Sequence, residues 1–314
     1  MSTFLVVGES LVDIVQDSTA RRTEVPGGSP ANVALGLARL GITADLLTWL
    51  ADDPRGRTVL DHLAASGVTV LPQSLGAART PTALARLDAE GSATYEFDLD
   101  WQLPATTLPH DLRAVHTGSI AAVAHTDPAD ALPALLQDAR RTATITYDPN
   151  LRPSIMGQPG AVQPKVDILV ALADVVKVSE EDLDWLHPGA DPLEVASGWV
   201  RDHRCALVVV THGGRGSTAV RPGGGRVEVQ APPVAVVDTV GAGDSYMSGL
   251  LTALHRHDLL GAGQRAALHA VSEAQVAEIV DFATTAAAIT VTRAGANPPH
   301  LADITAHDVA VPRT

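Results

Sequence analysis

The chain has 314 residues, of which 46% are hydrophobic, and its formal net charge is −14. This length and composition allow a large core, built by one large domain or by a domain with an appendage. The negative charge argues against a general nucleic-acid surface, and no apolar run approaches the ~20 residues that span a bilayer. Cys205 is the only cysteine, so no intrachain disulfide can form and we expect a protein of the reducing cytoplasm.

Strand-like and helix-like segments alternate along the chain. The first residues lack the basic region of a signal peptide and predict a strand. Strands separated by helices of roughly 10–15 residues predict an α/β fold with a doubly wound, largely parallel sheet. In chain order, we predict strands at 4–10, 44–50, 113–120, 142–149, 174–179 and 205–213, and helices at 31–41, 55–67, 128–141, 161–173 and 180–186.

Two segments break this alternation. Residues 82–100 contain two strand-like runs around a turn at 89–92, and residues 217–233 predict a second hairpin. The first hairpin has no place in a parallel core, so we predict a small β-sheet lid built largely from about 80–100, with 14–25 as a candidate second part. One face of the hairpin is expected to be buried, because its sequence alternates polar residues with apolar ones, namely Leu84, Leu87, Tyr95 and Phe97.

The segment DTVGAGDSYMSGL, residues 238–250, predicts a helix whose entrance is almost free of side chains. Gly241, Ala242 and Gly243 would let an anion approach the unpaired amides of the first turn. Asp244 follows them, and a carboxylate beside an anion site is better explained as a base that deprotonates an attacking hydroxyl. The alternative is a carboxylate that only caps the first turn, and this segment alone does not decide between the two.

A second glycine-rich site precedes another predicted helix. Gly27 and Gly28 lie just before Asn32, whose side chain offers a donor and an acceptor to sugar hydroxyls. Asp13 follows the first strand, at the sheet edge where open α/β folds bind ligands. An ordinary turn with a helix cap would explain the glycines equally well, and Asp13 is alternatively a solvated loop acid.

Other motifs are absent or weak. The lysines, Lys165 and Lys177, do not follow a glycine-rich loop, so the P-loop pattern is missing. Residues 261–266 match a degenerate dinucleotide motif, but no strand precedes them. The histidines show no zinc-site spacing and are expected to be mostly surface or lightly packed residues, among them His116, His125, His187, His203, His212, His255, His257 and His269.

The two glycine-rich segments together resemble a known family. Residues 27–41 and 238–251 are similar to the two signatures of the PfkB-type, ribokinase-like carbohydrate kinases, and the resemblance extends over 6–296. It implies one ribokinase-like kinase domain over 1–314 that transfers the γ-phosphate of ATP to a sugar hydroxyl. Residues 147–156 and 177–183 look most like bacterial fructokinases. A ribokinase, a 2-keto-3-deoxygluconate kinase and a non-catalytic sugar or nucleotide sensor remain open, although the retained Asp244 favours an enzyme.

The resemblance also implies roles for single residues. Asp244 matches the catalytic base and the preceding three residues match the anion hole that stabilises charge on the phosphoryl group. Sugar-binding positions are matched by Asp13, Gly28 and Asn32, the nucleotide loop by Thr211, Gly213 and Gly216, and the segment that faces both substrates by Asn150 and Arg152.

The implied cofactors are ATP and Mg²⁺, with K⁺ left open. Asp182 takes the position of a glutamate that organises Mg²⁺ through water, and Ser179 replaces its asparagine partner. Asp238 lies in the stretch that holds a monovalent cation in many relatives, but Pro299 occurs where some offer a hydroxyl.

The predicted lid also bears on the substrate and on assembly. Its acids, Asp98 and Asp100, would repel a sugar acid and therefore favour a neutral sugar over ketodeoxygluconate. Its exposed edge or face is a candidate contact in a homodimer.

Overall fold

The computed structural model describes residues 3–88, 93–123 and 131–310. Its strands belong to two sheets. In chain order they are β1 (Thr3–Val7), β2 (Leu11–Gln16), β3 (Arg22–Gly27), β4 (Ala44–Leu47), β5 (Thr69–Val70), β6 (Thr82–Leu87), β7 (Ala93–Asp98), β8 (Leu112–Gly118), β9 (Thr144–Asp148), β10 (Val175–Ser179), β11 (Leu207–Thr211), β12 (Ser217–Val220) and β13 (Arg226–Val229).

Helices connect most of these strands. They are α1 (Ser29–Arg39), α2 (Pro54–Ala64), α3 (Ser119–Val123), α4 (Ala131–Ala139), α5 (Pro153–Met156), α6 (Pro159–Leu172), α7 (Glu180–Leu186), α8 (Pro192–Asp202), α9 (Ala242–Arg256), α10 (Arg265–His269), α11 (Glu273–Val291) and α12 (Leu301–Ala310).

The large sheet has nine strands in the order β13-β12-β11-β10-β9-β8-β1-β4-β5. From β11 through β10, β9, β8, β1 and β4 to β5, each strand pairs in parallel with the next. Strands β12 and β13 extend the β11 edge as an antiparallel hairpin. Two hydrophobic clusters of buried residues pack around this sheet. Parallel strands covered on both faces are rich in β-branched and aliphatic residues, as Val175–Val178 and Leu207–Val210 show. The predicted α/β fold is confirmed.

The small sheet has four strands in the order β3-β2-β6-β7. It contains the predicted hairpin of β6 and β7, and also a second hairpin of β2 and β3 that the sequence only partly indicated. The expected turn at 89–92 lies outside the described residues. Strands β2 and β6 pair in parallel, and the two outer pairs are antiparallel.

The small sheet has the buried face that we expected, but Leu84 and Phe97 lie on opposite faces. Asp13, Ala83 and Phe97 are cross-strand neighbours and therefore share a face. The opposite face carries Ile14 and Leu84, which are 4% and 9% exposed and join the main hydrophobic core. Leu84 and Phe97 are on different faces because Phe97 pairs with Ala83, and successive residues of a strand point to opposite sides. The side chains of Leu87 and Tyr95 lie outside what the structure describes.

Helix α11 is long and apolar enough to cross a bilayer by length and composition alone. In the structure, 56% of that apolar window is buried inside the protein, where α11 packs against α9 and the edge strands β12 and β13. The helix is therefore accounted for as a core helix. Its start is fixed by a capping box in which Ser272 and Gln275 bond each other's backbone.

Candidate active site

Helix α9 begins at a glycine turn. Gly241 lies in the left-handed region with φ 76°, and a Cβ there would come within 2.7 Å of the Ala296 side chain. Only glycine meets both conditions without strain. No side chain of the described residues caps this helix, so its first turn presents the positive end of the helix dipole, although the Ala242 N–H donates to the Thr239 carbonyl over 3.3 Å. This arrangement suits an anion.

Asp244, in the same first turn, is held by helix α1. Its side chain is 6% exposed, and Oδ1 accepts a hydrogen bond from Ser29 Oγ over 2.7 Å. Oδ2 accepts from Asn32 Nδ2 over 2.8 Å. Two donors from one rigid helix fix the carboxylate's orientation, while a carboxylate oxygen can still accept a further bond from a ligand. The sequence predicted Asn32 as a sugar-binding residue, and here it also contacts the predicted base.

A cavity of about 320 Å³ opens beside Asp244. The structure brings every predicted sugar-site residue to its wall, together with residues of the small sheet and the glycine turn. The lining residues are Glu9, Leu11, Asp13, Gly28, Ser29, Asn32, Ala83, Phe97, Ser119, Ile120, Asn150, Arg152, Thr239, Val240, Gly241, Gly243 and Asp244.

Asp13 lies on β2 of the small sheet rather than after a strand of the large one, as the sequence had placed it. Burial raises the pKa of Asp13 to about 6, with Arg152 opposing the shift and Asp244 adding to it. A Cβ at Gly27 would collide with the Asp13 carboxylate, which explains the glycine there. Gly28 has φ 102° and lies against the backbone of Glu9, so the second glycine is also required by geometry.

Two non-glycine residues in this wall have positive φ, Ser119 with 59° and Asn150 with 39°. They follow the neighbouring strands β8 and β9, and Ser119 Oγ donates to the Asn150 carbonyl over 3.4 Å. Such backbone strain collects at functional sites. Glu9, which is buried, accepts a hydrogen bond from Ala121 N–H over 2.9 Å and so connects the Ser119 turn to the end of β1. Burial raises the pKa of the Glu9 carboxyl.

Arg152 folds back on the same turn. Its Nη1 donates to Asn150 Oδ1 over 2.8 Å and to the Leu151 carbonyl over 2.9 Å. Its charge acts on the carboxyls of Glu9 and Asp13. The guanidinium therefore lines the cavity and forms no ion pair within the part of the chain that the structure describes, so it can bond a ligand.

A second cavity, of about 540 Å³, lies on the other side of the glycine turn. Its wall is mostly apolar and is formed by the loop after β11, the loop before α9, and helix α11. The predicted nucleotide-loop residues Thr211, Gly213 and Gly216 all line it. Gly216 has φ 103° and lies too close to the Val229 carbonyl for any Cβ.

The two cavities share part of their walls. Thr239 and Gly243 line both, while Asp244 lines only the smaller, polar one. A group bound in the apolar cavity and a group bound in the polar cavity would therefore meet at the glycine turn, beside the carboxylate. This arrangement fits a group transfer between two ligands.

Comparison with known proteins identifies the family. The model of the pfkB family carbohydrate kinases matches residues 1–303. The chain belongs to this family. A fructokinase from Klebsiella pneumoniae is 35% identical over 265 residues, which are 81% of this kinase and 85% of that protein.

Solved structures of fructokinases superpose on nearly the whole kinase. That of Xylella fastidiosa with bound ATP has a TM-score of 0.83 at 25% identity, covering 98% of both chains. That of Vibrio cholerae O395, in a form with fructose, ADP and calcium ion bound, has a TM-score of 0.76 at 27% identity over 98% of both chains. The predicted family and fold are confirmed.

The two predicted ion ligands of the kinase lie outside both cavities. Asp182 closes the capping box of α7, where its Oδ2 faces Ser179 N–H at 3.4 Å, and its Oδ1 accepts from Leu151 N–H over 2.9 Å. Asp238 accepts from Val240 N–H and Gly295 N–H, over 3.0 and 2.8 Å, which lowers its pKa. Among the described residues, no group of three or more histidine, cysteine or acidic side chains could hold a metal ion.

Two features of the kinase differ from the sequence-based expectations. Asp98 forms an ion pair with Arg79 at 2.5 Å and does not line the sugar-side cavity, so it is not the acid that would repel a sugar acid. His116 is 2% exposed rather than lightly packed, and burial, followed by the charge of Lys177, lowers its pKa to about 3.

Sequence reasoning missed two residues of the site, Ser29 and Glu9, and one buried ion pair next to the glycine turn. Ser29 lies within the first glycine-rich signature, but its contact with Asp244 spans 215 positions. Glu9 follows β1 and lines the polar cavity. Lys177 forms a buried ion pair with Asp148, and its rarity as one of two lysines was the available signal.

Proposed function

We propose that this kinase transfers the γ-phosphoryl group of ATP to a hydroxyl of fructose. The observation that carries the proposal is the Asp244 carboxylate at the meeting point of a polar and an apolar cavity, directly after the glycine turn that opens α9 without a side-chain cap. A hydroxyl presented by the polar cavity and a phosphoryl group presented by the apolar one would meet beside a base.

In the proposed reaction, the attacking hydroxyl oxygen forms a bond to the γ-phosphorus as the bond from phosphorus to the β,γ-bridging oxygen breaks. The hydroxyl proton passes to the Asp244 carboxylate, and ADP leaves with the bridging oxygen. Ser29 and Asn32 hold the carboxylate for this transfer. The glycine-turn amides stabilise the negative charge on the phosphoryl oxygens.

The polar cavity favours a neutral sugar. Three carboxylates line it, those of Glu9, Asp13 and Asp244, against the single guanidinium of Arg152. This excess of negative charge would repel a sugar acid, so the argument against ketodeoxygluconate now depends on the cavity wall rather than on Asp98. Carboxylates are strong acceptors for polyol hydroxyls. The similarity to fructokinases makes fructose the first neutral sugar to test.

The apolar cavity is proposed to hold the nucleotide. Its side chains suit a planar base, and Gly213 and Gly216 allow the close approach of a ribose or phosphate to the backbone. A divalent cation, which we propose to be Mg²⁺, would neutralise the charge of the phosphates when bound. Asp182 would hold a water of that ion, since Mg²⁺ commonly binds to phosphates and only one or two carboxylates. The Asp238 loop stays the candidate K⁺ site.

The small sheet is proposed to act as a lid. Asp13, Ala83 and Phe97 extend from three of its strands over the polar cavity. Such a cover excludes water that would compete as phosphoryl acceptor.

The face of the small sheet that carries Asp13 also carries Val15 and Val25, which do not line the cavity and are 40% and 47% exposed. We propose that this apolar strip contacts a second copy in a homodimer, and a Val15→Lys variant that stays dimeric by light scattering would contradict this assignment.

A coupled assay of ADP release tests the proposed function. The purified protein would be assayed over a panel of ketoses, aldoses, sugar acids and nucleosides, with the Asp244→Asn variant as the matched control. We expect the highest kcat/KM for fructose, and loss of that activity in the variant. Higher kcat/KM for an aldopentose or a nucleoside would overturn fructose but keep the kinase. Ligand binding without turnover on any substrate would indicate a sensor.

The free, buried Cys205 is consistent with the predicted cytoplasmic location.

A further inference from the structure

Lys177 is almost fully buried, although lysine is a residue that proteins seldom bury. It lies on β10, its side chain is 4% exposed, and its Nζ is 2.7 Å from Oδ2 of Asp148 on β9, which is 1% exposed. Removing both charges from water costs free energy that their attraction often fails to recover, so an apolar pair of similar volume would be as stable or more stable. The pair therefore calls for a reason other than stability.

The ammonium group lies directly behind the glycine turn. A Cβ built on Gly243 would be 3.1 Å from Lys177 Nζ, and Gly243 lines both cavities. Asp148 Oδ1 has no hydrogen-bond partner among the described residues, so the pair is not part of a saturated network. Burial raises the pKa of Asp148 to about 6 against the opposing effect of Lys177, and the charges of Asp182 and Asp244 add to the rise. Two further carboxylates, those of Asp182 and Asp244, thus act on the Asp148 carboxyl that faces the ammonium.

A triphosphate that enters this site brings several negative charges close to those carboxylates. The dipole of α9 offers only roughly half an elementary charge at its N-terminus. In P-loop enzymes a lysine that follows the glycine-rich loop supplies the missing full charge. This chain has no such lysine in its glycine-rich loops, but β10 brings Lys177 to the glycine turn from the sheet side.

We propose that Lys177 is a phosphate-binding residue of the transfer site, and that Asp148 is the positioning residue that holds its ammonium in place when no nucleotide is bound. On nucleotide binding, Nζ bonds an oxygen of the terminal phosphates and keeps Asp148 on its other side. This inference rests on the proposed function only in that the donor is a nucleoside triphosphate. It does not depend on which sugar is phosphorylated.

The test separates phosphate binding from nucleoside binding. Calorimetry would measure the dissociation constants of ATP and of adenosine for the wild type and for Lys177→Met. We expect affinity for ATP to fall by about 10- to 100-fold, the range of a hydrogen bond to a charged group, and affinity for adenosine to stay unchanged. Lys165→Met is the matched control, because this other lysine donates to the Val123 carbonyl and lines neither cavity. Its affinities should equal those of the wild type.

Lys177→Met leaves Asp148 without its partner, so two double variants guard against misfolding. Lys177→Met with Asp148→Leu removes both charges, and Lys177→Gln with Asp148→Asn keeps polar groups of similar size. We expect both to melt no lower than the single variant and to show the same selective loss for ATP. Equal ATP affinity in a folded double variant would overturn the proposal, as would equal losses for ATP and adenosine.

A structure of the wild type with a non-hydrolysable ATP analogue provides a measurement that needs no variant. We expect Lys177 Nζ within hydrogen-bond distance of a phosphate oxygen, and a larger separation from every phosphate oxygen would overturn the proposal. The outcome is independent of the proposed function. If no sugar is phosphorylated but ATP binding requires Lys177, the function fails and this inference stands. If fructose is phosphorylated and Lys177→Met binds ATP as the wild type does, the proposed function stands and this inference fails.

Discussion

Ser29 Oγ and Asp244 Oδ1 are 2.7 Å apart and buried, and they join the first glycine-rich signature to the second. The serine hydroxyl has no other role in the described contacts than to donate to this carboxylate. Charge-assisted bonds of this kind are short and strong. The orientation of the proposed base therefore depends on a side chain outside its own helix.

Replacing Ser29 by alanine should slow turnover more than it weakens binding. We expect Ser29→Ala to lower kcat about tenfold, the effect of roughly 1.4 kcal/mol, because Asn32 alone then holds the base. The KM values for sugar and ATP should change little, and Ser29→Thr, which keeps the hydroxyl, should restore most of kcat. Steady-state kinetics of the three proteins check this, and an unchanged kcat in Ser29→Ala would contradict it.

Asp244→Asn should abolish turnover and leave nucleotide binding intact. The amide keeps the shape of the side chain but cannot accept the hydroxyl proton, so kcat should fall by roughly 10²–10⁴-fold. The rise of the melting temperature with added ATP is the control for folding and binding. A variant with kcat near that of the wild type would remove Asp244 from the role of base.

Asp13 should make sugar binding depend on pH. Its pKa is raised to about 6 by burial, so the carboxylate takes up a proton as the pH falls through 6 and loses strength as an acceptor for sugar hydroxyls. We expect the KM for sugar to rise below about pH 6 while the KM for ATP changes less. Kinetics across this range check the prediction, and in Asp13→Asn the KM for sugar should be high at every pH.

The same residue should lower stability at neutral pH. Its pKa in the folded protein exceeds the ordinary value of 3.8, so its contribution to stability is fully present below about pH 4 and is lost as the pH rises through 6. Asp13→Asn removes the buried charge. We expect this variant to melt above the wild type at pH 7 to 8, with the difference vanishing near pH 4. Equal melting temperatures throughout would show that the carboxylate is not strained by burial.

Shortening the small sheet should affect sugar use but not nucleotide binding. Replacing the β6–β7 hairpin by a Gly-Ser loop removes Ala83 and Phe97 from the polar cavity. We expect a higher KM for sugar and more ATP hydrolysis relative to sugar phosphorylation, since water then reaches the transfer site. Glu96→Gln is the matched control, because it only breaks an exposed ion pair with Arg86. An unchanged KM and an unchanged ratio would leave the hairpin a purely structural role.

The sequence predicted the fold from local patterns. The alternation of strands and helices was sufficient for the large sheet, and two hairpins were located from turns and period-two patterns. The small sheet was only half predicted, because β2 and β6 pair in parallel across a gap of 70 positions that no local pattern records. That Leu84 and Phe97 lie on opposite faces could not be predicted either, since it depends on the register between the two strands.

For the site, too, local sequence patterns were informative and long-range contacts were not. Positions within the two glycine-rich signatures and the segments resembling fructokinases could be assigned in advance, and the structure collects them around two adjoining cavities. The partners of those residues could not, because each is distant in the sequence: Ser29 from Asp244, Arg79 from Asp98, and Lys177 from Asp148. No sequence pattern shows which distant residues form an ion pair or a hydrogen bond, although the rarity of lysine pointed to Lys177 itself.

The packing of α1 against α9 has a consequence for biosynthesis. Gly36 of α1 lies so close to Ser248 of α9 that no side chain fits between the two helices. A ribosome releases α1 before α9, and the part of the α1 surface that packs against α9 has no partner until α9 emerges about two hundred residues later, at roughly 5–20 residues per second. For this interval of some tens of seconds the nascent chain carries a helix that its own strands β1 and β4 cover only in part. We expect α1 to be the segment of the growing polypeptide that holding chaperones contact for longest.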